Sequence, residues 1–215
     1  VLEKAGYDVT REFYINDAGN QIERFGRSLE ARYLQHFYGE GKVEFPEDGY
    51  HGEDIIEHVK AYIEQHGDAL LSKTPEERRQ ALVDYALPIN IQRIRDALSE
   101  YGIEYDVWFS EKSLHDSGAV KETVDFLREN GYTVERDGAV WLNGEKLGLE
   151  KDEVLIRNNG IPTYMAADIA YHRNKFERGF EKVINIWGAD HHGHVARMKG
   201  AVQSLGYDPD RLQVI

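Results

Sequence analysis

Cysteine is absent from the 215 residues. That excludes disulfides and thiolate metal sites, and it is compatible with a reducing compartment. Long hydrophobic runs are also absent. No window approaches the ~20 consecutive apolar residues of a membrane span, and no signal-peptide pattern opens the sequence. Positive charge is scarce, with 26 Lys and Arg against 39 Asp and Glu, for a net −13. A bulk acidic surface repels nucleic acid, so a polyanion would have to be received locally. The deficit is uneven: residues 36–150 carry most of it, whereas 168–200 are net positive through Arg173, Lys175, Arg178, Lys182, Arg197 and Lys199. Taken singly, these cations read as solvated helix faces. The G-x-x-x-x-G-K-[ST] phosphate loop, the G-x-G-x-x-G fingerprint and the G-x-S-x-G elbow are all missing.

What is present is most concentrated between Val183 and His194, VINIWGADHHGH. An apolar, β-branched run stops at Gly188. A helical pattern then starts, with Val195, Met198, Val202 and Leu205 at three- and four-residue steps. This predicts a buried strand feeding a helix through a glycine turn. In open α/β sheets, ligands bind at that turn, outside the carboxyl end of the strand.

Elsewhere the patterning predicts a strand over 7–15 and an amphipathic helix over 20–38, with Ile22, Phe25, Leu29, Tyr33 and Phe37 on one face. Helices follow over 53–66 and 75–100, the latter kinked at Pro88. A short strand over 105–110 and a helix over 117–130 come next. A hairpin is signalled by Asp137–Gly138, and a second around Asn158–Asn159–Gly160. The expected class is α/β: a Rossmann-type parallel sheet interrupted by a helical insertion and a hairpin-containing connective insertion. The expected division is a core of 1–40, 101–116 and 160–215, a helical insertion over 41–100 and the connective insertion over 117–159. Both ends look cut out of a larger protein: VLEKAGYDV opens like the last turn of a helix, and DPDRLQVI stops as a strand begins.

Three constellations could carry chemistry. Tyr164, Asp168 and Tyr171 share a face if the segment is helical. A carboxylate between two aromatic rings suits a planar cation. On spacing alone, a helix with two core tyrosines and a surface aspartate is the commoner arrangement. Second, Gly188, Asp190, His191, His192 and His194 surround the glycine turn. There a backbone free of side chain admits a sugar or base, and a helix start offers N–H groups to an anion. The rival is a metal site of the Asp-His-His phosphoesterase kind, because all four polar residues are ligand types. That class needs a D-x-D pair at an earlier strand end, and the chain's Asp208–Asp210 lies downstream. Third, Asn16, Asp17 and Gln21 at the end of the first strand are either ligand contacts or a helix cap and first turn. A further alternative is a non-catalytic binding module whose acidic insertions carry a protein partner.

Five blocks, REFYINDAGNQIERFGRSLEARYLQ, EFPEDGYHGEDI, YDVWFSEKSL, TYMAADIAYHRNKFERGF and WGADHHGHVARMKGA, resemble arginyl-tRNA synthetases of class I, in that family's order and over essentially the whole chain. The resemblance implies a Rossmann-type catalytic domain split by insertions. It implies ATP-dependent activation of L-arginine to arginyl-adenylate and transfer to tRNA(Arg), in a monomeric cytoplasmic enzyme. Mg²⁺ would arrive with ATP, and no tightly bound cofactor or metal is implied. By position, Tyr164, Asp168, Tyr171 and Asp190 would contact arginine, and Gly188, His191 and His192 the adenosine. Asn16, Asp17 and Gln21 remain candidate first-strand contacts. The family's H-I-G-H-type and K-M-S-K-S-type motifs are not among the 215 residues. The chain is therefore expected to be a central piece, inactive alone, that pairs with itself or is marginally stable through an open sheet edge.

Overall fold

The computed structural model describes residues 1–188 and 192–215, the side chain of His192 excepted. The chain forms two compact units, Val1–Ser110 and Glu111–Ile215.

In the first unit, strands β1 (Glu12–Ile15) and β2 (Val107–Ser110) pair in parallel, from Glu12↔Val107 to Ile15↔Ser110. Between them in sequence run helices α1 (Asn20–Tyr38), α2 (Glu53–His66) and α3 (Pro75–Glu100). A parallel pair requires such a crossover connection. The apolar stripes bury against one another: Phe25, Leu29 and Tyr33 of α1 meet Ile55 and Val59 of α2, and Leu82, Val83 and Ala86 of α3. Gly26 lets α1 and α3 close up, since a Cβ there would stand 3.2 Å from Val83 Cγ2 and 3.3 Å from Arg79 Cβ. The stripe on α3 ends early. Ile94, about two helical turns beyond the buried residues Leu82, Val83 and Ala86, is 42% exposed, because the helix outruns the partners it packs on.

Thr74 starts α3 with a reciprocal cap. Its Oγ1 accepts from the Glu77 N–H at 3.2 Å, and Glu77 Oε2 accepts from the Thr74 N–H at 3.0 Å. Thr74→Ala is expected to cost about 1 kcal/mol of stability, read as a lower urea midpoint; an unchanged midpoint would show that the box contributes nothing here. Pro88 lies inside α3, which continues through it to Glu100.

The first unit also buries a charge. Arg78, 8% exposed, sends Nη1 to Glu30 Oε1 at 2.7 Å, Nε to the Leu70 carbonyl at 3.0 Å and Nη2 to the Lys73 carbonyl at 2.9 Å. It thereby ties α1, α3 and the turns over 67–73 together.

The second unit opens with α4 (Glu111–Asp116) and α5 (Ala119–Glu129), whose Val120, Val124 and Leu127 are buried as their spacing requires. An antiparallel sheet follows, of β3 (Thr133–Arg136), β4 (Ala139–Leu142) and β5 (Glu153–Ile156). Asp137 and Gly138 turn β3 into β4 with φ of 52° and 73°. Two positive φ values define the turn whose twist matches the flanking strands. The signal at Asn158–Asn159–Gly160 is a turn closed by the Arg157 N–H on the Ile161 carbonyl, 3.0 Å, and by a single bridge of Ile156 to Pro162. Helix α6 (Tyr164–Glu177), strand β6 (Val183–Asn185), helix α7 (His192–Ser204) and strand β7 (Leu212–Val214) complete the unit. β6 and β7 pair in parallel. The architecture is thus α/β, with a parallel pair in each unit and the hairpin sheet between them in sequence. Among the described residues, no helix is long and apolar enough to cross a membrane.

Candidate functional site

Thr163 sets the start of α6. Its Oγ1 accepts from the Ala166 N–H at 3.4 Å and donates to the Val154 carbonyl at 2.6 Å. One cap thus fixes the helix and ties it to β5. The phase of α6 follows from this, and it puts Asp168 and His172, one turn apart, on a single face.

Asp168 is the centre of the site. His194, in the first turns of α7, donates from Nε2 to Asp168 Oδ2 at 2.7 Å. His172 Nδ1 lies 2.8 Å from the Asp168 carbonyl and 3.2 Å from its Oδ1. Burial alone would raise this carboxyl. The hydrogen bonds from His172 and His194 outweigh it and hold Asp168 well below the usual carboxylate range. The group is therefore an anion at neutral pH. Its side chain is 24% exposed, so it stays open to solvent. Among the described residues, two of the roughly four acceptor positions of a carboxylate are taken.

The other expected arginine contacts stand differently. Tyr164 is 66% exposed rather than buried, with its ring 6.1 Å from that of His194. It is the first residue of α6, and a helical side chain leans toward the N-terminus. Its ring therefore projects past the helix end instead of lying on a preceding turn. Tyr171 is buried at 7% exposure, with the Lys175 ammonium 4.0 Å from its ring centroid. One face of that ring thus already carries a cation from the chain itself. Gly188 is exposed just beyond β6. Asp190, His191 and the side chain of His192 lie outside the described residues, as do three of the four groups on which the metal alternative depended.

Asp17 belongs to the first unit and sits where β1 ends. Its Oδ2 accepts from Ser110 Oγ at 2.5 Å, joining the carboxyl ends of the two parallel strands. The N-cap of α1 is Gly19 rather than Asn16 or Asp17. Gln21 lies in the first turn of α1, exposed, as does Asn16 on its loop.

Three residues that spacing did not single out complete the Asp168 surroundings. Asn185, 6% exposed at the end of β6, lies 2.7 Å by Nδ2 from His172 Nε2. Lys175 Nζ donates to Asn185 Oδ1 at 3.0 Å. The Trp187 ring stands 5.2 Å from that of His194. The sequence did hold one signal for Asn185: an amide side chain inside an otherwise apolar strand must find partners when buried.

This surround, a fixed anion beside the carboxyl end of a parallel strand pair, suits recognition of a cationic ligand. The family model of class I tRNA synthetases (R), catalytic domain, matches residues 1–215. An arginine–tRNA ligase of Acetivibrio thermocellus is 68% identical over the whole chain, and that of Ruminiclostridium cellulolyticum 65%. The chain spans 38% of the length of each. An arginyl-tRNA synthetase structure from Campylobacter jejuni superposes with a TM-score of 0.89 at 40% identity, over 99% of this chain and 46% of that one. The Thermus thermophilus enzyme shares the fold at TM-score 0.68 and 20% identity. The α/β architecture is accordingly the Rossmann-type core of that class, and the chain belongs to the class I arginyl-tRNA synthetase family, within its catalytic domain.

Proposed function

We propose that this chain supplies the arginine-recognition part of an arginine–tRNA ligase. The full-length protein would join L-arginine to ATP, with Mg²⁺ arriving on the nucleotide, and pass the arginyl group to tRNA(Arg) in the cytoplasm. The observation that carries the reading is Asp168, ionised by its histidine donors and partly open to solvent. A guanidinium is always charged and presents paired N–H donors, so a fixed carboxylate selects it over neutral isosteres. Tyr164 would close over the ligand from the helix start, and Tyr171 would back the site. Asp190 would take the α-amino group. Gly188, His191 and His192 would face the adenosine, with Asn16, Asp17 and Gln21 on the first-strand side. Residues 1–40, 101–116 and 160–215 would form the catalytic core, with 41–100 and 117–159 as insertions. The phosphate-handling motifs would come from outside these 215 residues.

The test is calorimetric titration of the full-length protein with L-arginine, with citrulline as control. Citrulline keeps the shape and loses the charge. Arginine is expected to bind at least about 30-fold more tightly, the lower end for losing a buried charge partner. Equal affinities would overturn the reading.

A further inference from the structure

The hydrogen bonds around His172 have only one consistent direction. An ammonium has donors and no acceptor, so the Asn185 atom 3.0 Å from Lys175 Nζ is the amide oxygen. The other amide atom, 2.7 Å from His172 Nε2, is therefore the NH₂ group. NH₂ only donates, so His172 Nε2 must be the bare nitrogen. The one ring proton then sits on Nδ1, facing two acceptors, the Asp168 carbonyl at 2.8 Å and Oδ1 at 3.2 Å. His172 is 1% exposed and Asn185 6%, so solvent does not compete for these groups.

We propose that Lys175, Asn185 and His172 are positioning residues: a one-way chain of donors from α6 through β6 that ends on Asp168 and aims its carboxylate at the guanidinium. The proposal rests on the reading of Asp168 as the arginine receptor. It assigns Lys175 a role that a solvated helix face does not have. Its ammonium orients the Asn185 amide, the amide selects the His172 tautomer, and the tautomer supplies the donor that Asp168 needs. None of the three need touch substrate.

Asn185→Asp in the full-length protein is the test. An aspartate accepts from both neighbours, so it draws the ring proton to His172 Nε2 and turns the Nδ1 lone pair toward Asp168, or it adds a second proton that neutralises the Asp168 charge. With selectively ¹⁵N-labelled histidine, the unaltered protein is expected to show a bare Nε2 at His172, and the variant a protonated one. The KM for arginine in tRNA-supported ATP–pyrophosphate exchange is expected to rise about tenfold, the scale of one hydrogen bond to a charged group, with kcat little changed. A proton on Nε2 in the unaltered protein, or an unchanged KM in the variant, overturns the proposal. Should that variant fail to fold, Lys175→Met carries the same test. It is expected to raise KM, and Lys175→Arg to restore it; an unchanged KM in Lys175→Met overturns the proposal. Asp168→Asn separates the two layers. An unchanged KM there overturns the arginine pocket and the positioning role together. A raised KM there, with an unchanged one in Asn185→Asp, overturns the positioning role alone.

Discussion

Asp168→Asn in the full-length protein is expected to weaken L-arginine binding by roughly 2–4 kcal/mol, about 30- to 700-fold in Kd. The amide has nearly the carboxylate's shape, so packing barely changes. What changes is charge and donor count. The substituted amide would offer a guanidinium one neutral oxygen instead of a delocalised anion. Its NH₂ group would also face a donor, either His194 Nε2–H or His172 Nδ1–H, both of which now point at the carboxylate. Titration calorimetry reads the loss directly, and near-normal affinity would remove Asp168 from the pocket. A pH signature accompanies it. The folded carboxyl titrates below its unfolded counterpart, so its contribution to stability is complete above the unfolded value of about 4 and is lost as pH falls below it. Urea midpoints measured across that range should drop for the unaltered protein more steeply than for Asp168→Asn. Parallel slopes would mean that the carboxyl is not held ionised by folding.

Arg78→Met is expected to destabilise the first unit by about 3–5 kcal/mol, the usual cost of removing one partner from a buried ion pair. Glu30, whose side chain is 12% exposed, would keep Arg79 at 3.8 Å as its cationic partner among the described residues. The Leu70 and Lys73 carbonyls would lose the donors that Arg78 now provides. Urea unfolding of the single and double variants decides the point. Adding Glu30→Met to Arg78→Met should recover much of the loss, because the stranded carboxylate is gone and the site becomes apolar. A single variant within about 0.5 kcal/mol of the parent, the range of ordinary surface changes, would show that the pair is neutral to folding.

The two parts of this chain differ in how much their local patterns disclose. Helices α1, α2 and α3 are legible to the residue, because apolar stripes of helical period run between clear stops: Gly19 and Gly39, Gly52 and Gly67, and the Thr74 box. The Asp137–Gly138 turn is equally plain, since few residue pairs accept two positive φ angles. Strand lengths are not legible. Residues 7–15 read as extended, yet only Glu12–Ile15 forms a ladder, because a strand is as long as its partner and β2 supplies four residues. Helix α4 escapes notice because Leu114 is its only buried residue, too little for a periodic signal.

At the site, the family motif and the α6 spacing brought Asp168 forward, and the strand–glycine–helix pattern located the end of β6. Local sequence determined those elements, since backbone propensity, caps and hydrophobic period act over a few residues. Only the tertiary structure decided that Tyr164 stands exposed, that Lys175 covers a face of Tyr171, and that His194, 26 residues beyond Asp168 in sequence, donates to its carboxylate. Electrostatic and hydrogen-bond energies depend on distances of a few ångströms between groups far apart in the chain. They therefore take their values only once the helices and strands have packed.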